Sequence, residues 1–187
     1  MSITAESIPG YTTGTWKLDP THSELTFTVR HLAISKVRGT FRTWDATIVT
    51  TDDVENPQVT VEIDVASIDT NQADRDNHLR TGDFFAADEF PKFTFVSTKL
   101  THDGNDFVLA GDLTLRGVTK PVEIKGDFNG VITDPYGQTK AGAEGKLTIN
   151  RKDFGVNWNA ALETGGFMLG DDVTITIEAQ FVLQAAE

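Results

Sequence analysis

Between Val173 and Leu183 the chain alternates: Val173, Ile175, Ile177, Ala179, Phe181 and Leu183 occupy one set of positions, and Thr174, Thr176, Glu178, Gln180 and Val182 the other. Successive side chains of an extended strand point to opposite faces, so this stretch has one apolar and one largely polar face. The same two-residue period returns in Leu25, Phe27 and Val29 against Glu24, Thr26, Thr28 and Arg30, and in Val59, Val61, Ile63 and Val65 against Thr60, Glu62 and Asp64. Further strands are read at about 36–50, 92–101, 106–116, 118–131 and 138–149, which makes eight. Reversals fall between them at Asp103-Gly104-Asn105, Arg116-Gly117 and Asp134-Pro135-Tyr136-Gly137, where the residue types suit tight turns.

One stretch reads as helix, from near Asp69 to about Arg80, with Asp69 as cap, Gln72 in the reciprocal position and Gly82 as stop. Eight strands in succession, interrupted by one short helix, predict an antiparallel sheet that must split into two layers or close on itself. Strands of about ten residues, each with a strongly apolar face, favour closure into a barrel with a bore on the order of 25 Å tall. A barrel of this size is either filled by side chains or just wide enough for one slender ligand.

Composition narrows the choice of partners. The 187 residues carry 16 Lys+Arg against 28 Asp+Glu, a net charge of −12, which disfavours a nucleic-acid phosphate backbone. The absence of Cys removes disulfides, thiolate metal sites and thiol nucleophiles. His22, His31, His78 and His102 lack the short paired spacing of a metal site, so neither a metal nor a cofactor is expected. There is no apolar run long enough for stable membrane insertion. The first residues show neither a basic region nor an apolar run of a secretory signal, so the expected compartment is the cytoplasm. Residues 1–14 are expected to form a flexible leader and 15–187 a single domain.

Twelve Phe against three Trp and two Tyr skew the aromatics toward rings without a polar handle, which suits a dry interior. Gly39, Gly111 and Gly126 sit at apolar-face positions, where small residues are expected to leave room for a guest. On that reading Gly111→Leu or Ile124→Trp obstructs loading and leaves the barrel folded. His31 continues the inward parity of Leu25, Phe27 and Val29, and serves either as a hydrogen-bonded residue at the barrel's end or as a ligand contact. Arg75, His78 and Arg80 on the helix suit a phosphate or a quinone oxygen, or else form a solvated face with Asp74 and Asp76. No nucleophile elbow, phosphate-binding loop or dinucleotide fingerprint is present.

A series of motifs runs through the chain in order. It includes Trp16-Lys-Leu-Asp19 with Thr21-His22-Ser23, Phe27-x-Val29-x-His31, Val37-x-Gly39-x-Phe41, Ser67-Ile68-Asp69-Thr70 and Arg75-Asp76-x-His78-Leu79-Arg80. It continues through Asp83-Phe84-Phe85, Phe90-Pro91-x-Phe93-x-Phe95-x-Ser97, Gly111-Asp112-Leu113-Thr114-Leu115-Arg116-Gly117-Val118-Thr119-Lys120-Pro121 and Asn150-Arg151-x-Asp153-Phe154-Gly155. Together these resemble the YceI family of polyisoprenoid-binding proteins, from about Trp16 to Phe181. The resemblance implies an extended, lipocalin-like antiparallel barrel of eight strands with a helix near one end. It also implies non-catalytic binding or transport of an isoprenoid lipid, such as a polyprenyl phosphate or an isoprenoid quinone tail, with stress tolerance among the family's broad roles and a homodimer as a common state.

Strand parity and the resemblance give a lining of Phe27, Val29, Phe41, Val61, Ile63, Phe95, Leu113, Leu115, Ile124, Ile175 and Ile177, with His31, Arg75 and His78 for the head group. Arg75 pairing with Asp69 or Asp83 is the alternative for that side chain. Two other functions stay open. An enzyme acting on a small apolar substrate in the same barrel requires His31 or His78 beside a carboxylate within the cavity. A filled barrel serving as an interaction module requires no cavity.

Overall fold

The computed structural model describes residues 4–160, 162 and 168–186. Its strands are β1 (Gly14–Leu18), β2 (Glu24–His31), β3 (Ser35–Phe41), β4 (Trp44–Thr50), β5 (Gln58–Asp64), β6 (Ile68–Asp69), β7 (Lys92–Asp103), β8 (Asp106–Leu115), β9 (Val118–Thr133), β10 (Thr139–Asn150) and β11 (Leu169–Leu183). All join one antiparallel sheet, and the ring β1-β4-β5-β7-β8-β9-β10-β11 is closed by the pairing of β1 with β11. This is the eight-stranded barrel expected from the period-two patterns. Three of its paths are broken rather than straight.

The breaks have local causes. Between β1 and β2 the Asp19 carboxylate accepts from the Thr21 N–H at 3.0 Å and meets His22 Nδ1 at 2.9 Å, which winds Pro20–His22 into a 3-10 turn. Between β5 and β6 the Asp64 carboxylate accepts from the Ala66 N–H at 3.2 Å over the 3-10 turn Val65–Ser67. The partner path breaks at Arg42-Thr43, between β3 and β4. The long hairpin therefore pairs as β1 with β4 at one end of the barrel and as β2 with β3 at the other. β11 spans both ends, meeting β1 through Phe181 and Leu183 and β2 from Glu178 to Leu169.

The helix α1 (Ala73–Leu79) begins later than the sequence suggests. Gln72 is its cap, accepting from the Arg75 N–H at 2.7 Å. Asn71 has a left-handed φ of +63°, which breaks the backbone before a helix capped by Asp69 can start. Asp69 instead accepts from the Asn71 N–H at 2.8 Å and pairs with Arg42 at 2.6 Å. Those two contacts, the Asn71 amide foremost, hold its carboxyl below the usual range. The buried Asp76 accepts from the Thr70 N–H at 2.8 Å, and Arg80 donates to the Ala66 and Ile68 carbonyls at 3.0 Å each. Helix and β6 are thus held by side chains reaching backbone groups.

The glycines do not hollow the barrel. A Cβ at Gly39 would stand 2.4 Å from the ring of Phe27, its direct cross-strand partner, and one at Gly111 would stand 2.4 Å from the ring of Phe95. At Gly126 it would meet the Glu144 carbonyl at 1.9 Å, across the pairing with Gly145. These positions admit neighbouring rings and a close strand, so the space is already filled. Leu at position 111 overpacks the wall rather than blocking a bore. Trp16, Leu18, Ala46 and Phe181 close the β1–β4 end, and the Trp16 indole N–H is satisfied by Thr50 Oγ1 at 3.2 Å.

Two stability outcomes follow from these contacts. Gly126→Ala destabilises by about 1–3 kcal/mol or more, the usual cost of overpacking, because backbone rather than a flexible side-chain end stands in the way; chemical denaturation measures it. Asp106 and Asp127 face each other across β8 and β9, and the hydrogen bond with Asp127, then its charge, raises the Asp106 pKa above the ordinary 3.8. A raised folded-state pKa means that the folded chain binds more protons, so stability is lost as pH rises through the carboxylate range. Asp127→Asn therefore raises the melting temperature at neutral pH, and the advantage vanishes well below pH 3.8.

Candidate functional site

The β2–β3 end of the barrel is hollow. A cavity of about 490 Å³ opens there, within the range of small-molecule sites. Its wall is built from inward positions of β2, β3, β5, β7, β8, β10 and β11, from α1 and from the segment around the 3-10 turn Arg151–Phe154. Phenyl rings form its floor and side: Phe27 and Phe41 lie 5.5 Å apart, Phe41 and Phe93 5.6 Å, and Phe93 and Phe85 5.1 Å. These tilted and edge-on contacts fix the rings against one another, so the apolar wall is preformed.

Of the lining residues read from the sequence, Phe27, Val29, Phe41, Ile63, Leu113, Leu115 and Ile175 lie in this wall. Val61, Phe95, Ile124 and Ile177 do not. Phe95 and Ile124 are buried, and Val61 and Ile177 are partly buried, all packed in the main core outside the cavity. Strand parity identifies the inward face correctly for these four residues but cannot say at which height the interior is filled. The bore of full barrel height is thereby replaced by a cavity at one end. Leu25, Val37, Phe84, Phe93, Val173 and Trp158 complete much of the wall. Phe84 and Trp158 come from loops, where no two-residue period marks them.

His31, Arg75 and His78 all reach the cavity, on β2 and α1. Arg75 pairs with neither Asp69 nor Asp83; its Nε donates to Thr70 Oγ1 and its Nη2 to the Thr70 carbonyl, both at 2.7 Å. His78 Nε2 lies 2.8 Å from Asp83, and its ring stands edge-on to Phe84 at 5.0 Å and Trp158 at 4.9 Å. Among the described residues no group of acidic and histidine side chains is arranged to hold a metal ion.

A further polar residue in the wall, Arg151, appears in the sequence only as part of a motif. Asn150 accepts from the Lys152 N–H at 3.0 Å to start the turn, and Gly155 ends it with φ of +77°. This places Arg151 inward, 5% exposed. Its Nε donates to the Gly170 carbonyl at 2.9 Å, and its Nη1 to the Val156 and Trp158 carbonyls at 2.8 Å each. Burial pushes its pKa down, and the Asp171 charge offsets part of that. Arg116 ties the same segment to the helix side of the mouth, donating to the Gly155 carbonyl at 2.7 Å and to the Gly82 carbonyl at 2.9 Å.

The division between hollow and filled ends separates two kinds of substitution. Val29→Trp takes up part of the cavity and weakens uptake of an apolar fluorescent probe while the thermal transition stays cooperative. Ile124→Ala lies outside it and costs about 2–5 kcal/mol of stability, with probe uptake retained below the transition. Ile124→Trp overpacks the filled region instead of obstructing the cavity.

The comparisons with known proteins agree with this architecture. The family model described as a YceI-like domain matches residues 16–181. A UPF0312 protein of Staphylococcus aureus (strain MSSA476) is 41% identical over 165 residues, covering 87% of this chain and 94% of the relative. The crystal structure of a Campylobacter jejuni YceI protein aligns with a TM-score of 0.69 at 30% identity, covering 83% of this chain and 90% of that one. A polyisoprenoid binding domain from Saccharophagus degradans shares the fold, with a TM-score of 0.69 at 15% identity over 90% of this chain and 98% of that one. With its family match spanning nearly the whole barrel, the chain belongs to the YceI-like family.

Proposed function

We propose that this protein binds an isoprenoid lipid, with the methyl-branched chain in the cavity at the β2–β3 end, and that it acts as a carrier rather than a catalyst. The observation that carries this reading is the preformed wall of phenyl and aliphatic side chains around the cavity. An apolar chain without hydrogen-bond acceptors leaves few polar groups to satisfy, and at about 0.8 kcal/mol per buried CH₂ each five-carbon unit gains up to roughly 4 kcal/mol on leaving water. Association costs on the order of 4–15 kcal/mol, so a few enclosed units suffice. At roughly 30 Å³ per non-hydrogen atom, the share a water molecule takes in the liquid, the cavity accommodates on the order of three units. Longer chains extend through the mouth. The polyisoprenoid-binding description of the structurally similar Saccharophagus degradans domain supports the same ligand class.

Catalysis is the second reading, and the His78–Asp83 contact is the observation in its favour. Both groups are open to water, at 40% and 55% exposure, where an imidazole gains little from desolvation. One experiment separates the readings. Protein purified under mild conditions is loaded with farnesol, washed, and extracted with organic solvent for mass spectrometry. Carriage predicts unchanged farnesol at about one per chain. Recovery of a modified product, in the extract or the wash, supports catalysis, and failure to retain any isoprenoid overturns carriage.

A further inference from the structure

Arg151 is a buried cation with an incomplete set of partners. Three carbonyls, those of Gly170, Val156 and Trp158, take up Nε and Nη1, while Nη2 is buried without a hydrogen-bond partner among the described residues. The nearby acid Asp171 pairs with Lys152 at 3.1 Å. Among the described residues no carboxylate lies within ion-pairing distance of Arg151. A guanidinium retains its proton in proteins, so it cannot relieve the cost of burial by becoming neutral. Carbonyl dipoles compensate only part of that cost. The cavity wall therefore contains a positive charge whose Nη2 group keeps both of its N–H donors unused among the described residues.

Resting on the carrier reading, we propose that Arg151 anchors an anionic head group, a phosphate or carboxylate at the end of the apolar chain. That group supplies the missing counter-charge, and a small rotation of the guanidinium brings Nη2, which has no open surface as it stands, onto one of its oxygens; a charge-assisted bond of this kind is about twice as strong as a neutral one. His31 and Arg75 add donors to the same cavity, while the Asp74 carboxylate, also in its wall, opposes a head group that strays toward α1. The Thr70 contacts occupy Nε and Nη2 of Arg75 and the rest of that side chain is exposed to water, which leaves Arg151 as the arginine with a buried, unpartnered nitrogen.

The test compares farnesyl phosphate with farnesol, which share a chain and differ in the head, by calorimetric titration of the full-length protein. The wild type is expected to bind the phosphate at least tenfold more tightly. Arg151→Gln levels the two affinities while farnesol binding persists, and Arg151→Lys keeps part of the preference. Because Arg151 also holds three carbonyls, the wild type supplies a measurement that needs no variant. The side-chain N–H resonances of its buried guanidinium shift with farnesyl phosphate and stay in place with farnesol. Equal wild-type affinities, unmoved resonances, or a preference that survives Arg151→Gln overturn the anchor and leave the carrier reading standing. If neither compound binds, both fall together.

Discussion

Closure of the sheet through β11 is the constraint on which the rest depends. This fifteen-residue strand pairs with β10 along one edge and with β2 and β1 in succession along the other. A closed ring has no free edge, so the inward faces of eight strand paths must share one interior. The interior is not uniform along the axis because β1 and β4 close one end while β2, β3 and β6 form the other. Trp16, Leu18, Ala46 and Phe181 fill the first, and the second stays open under α1 and the Arg151–Phe154 turn.

Polar side chains at the open end act mainly on backbone groups. Arg75, Arg80, Arg116 and Arg151 each donate to carbonyls, tying loops and helix to the rim in place of a continuous strand ladder. Such bonds satisfy carbonyls that a break in the sheet would otherwise leave unpaired. Two of these side chains, Arg75 and Arg151, also stand in the wall of the apolar cavity. Arg151 differs from the others in being buried and in keeping a buried nitrogen, Nη2, without a partner among the described residues.

The strands were legible because period two is a direct consequence of backbone geometry, and seven of the eleven lining positions inferred from it do face the cavity. The remaining four face inward at filled heights, a distinction that depends on which strands cross from other parts of the chain. Glycine misled for the same reason. Gly39 reads as empty space until its cross-strand partner is known to be Phe27, whose ring lies over it. A register shift in β7 between Ser97 and Lys99 likewise returns Leu100 to the core in a place that simple alternation would give to Lys99.

Sequence alone determined the antiparallel class, the number of strand paths, the approximate place of the helix and the apolar character of the interior, because each follows from short-range spacing of side chains. Tertiary structure alone decided the height at which the barrel is hollow, the pairing of Asp69 with Arg42, and the position of Arg151 in the cavity wall. The first two depend on register between segments distant in the chain, and the third on how a local turn packs against β11. A guanidinium on a four-residue turn becomes a wall residue only when Gly170, Val156 and Trp158 bring their carbonyls around it.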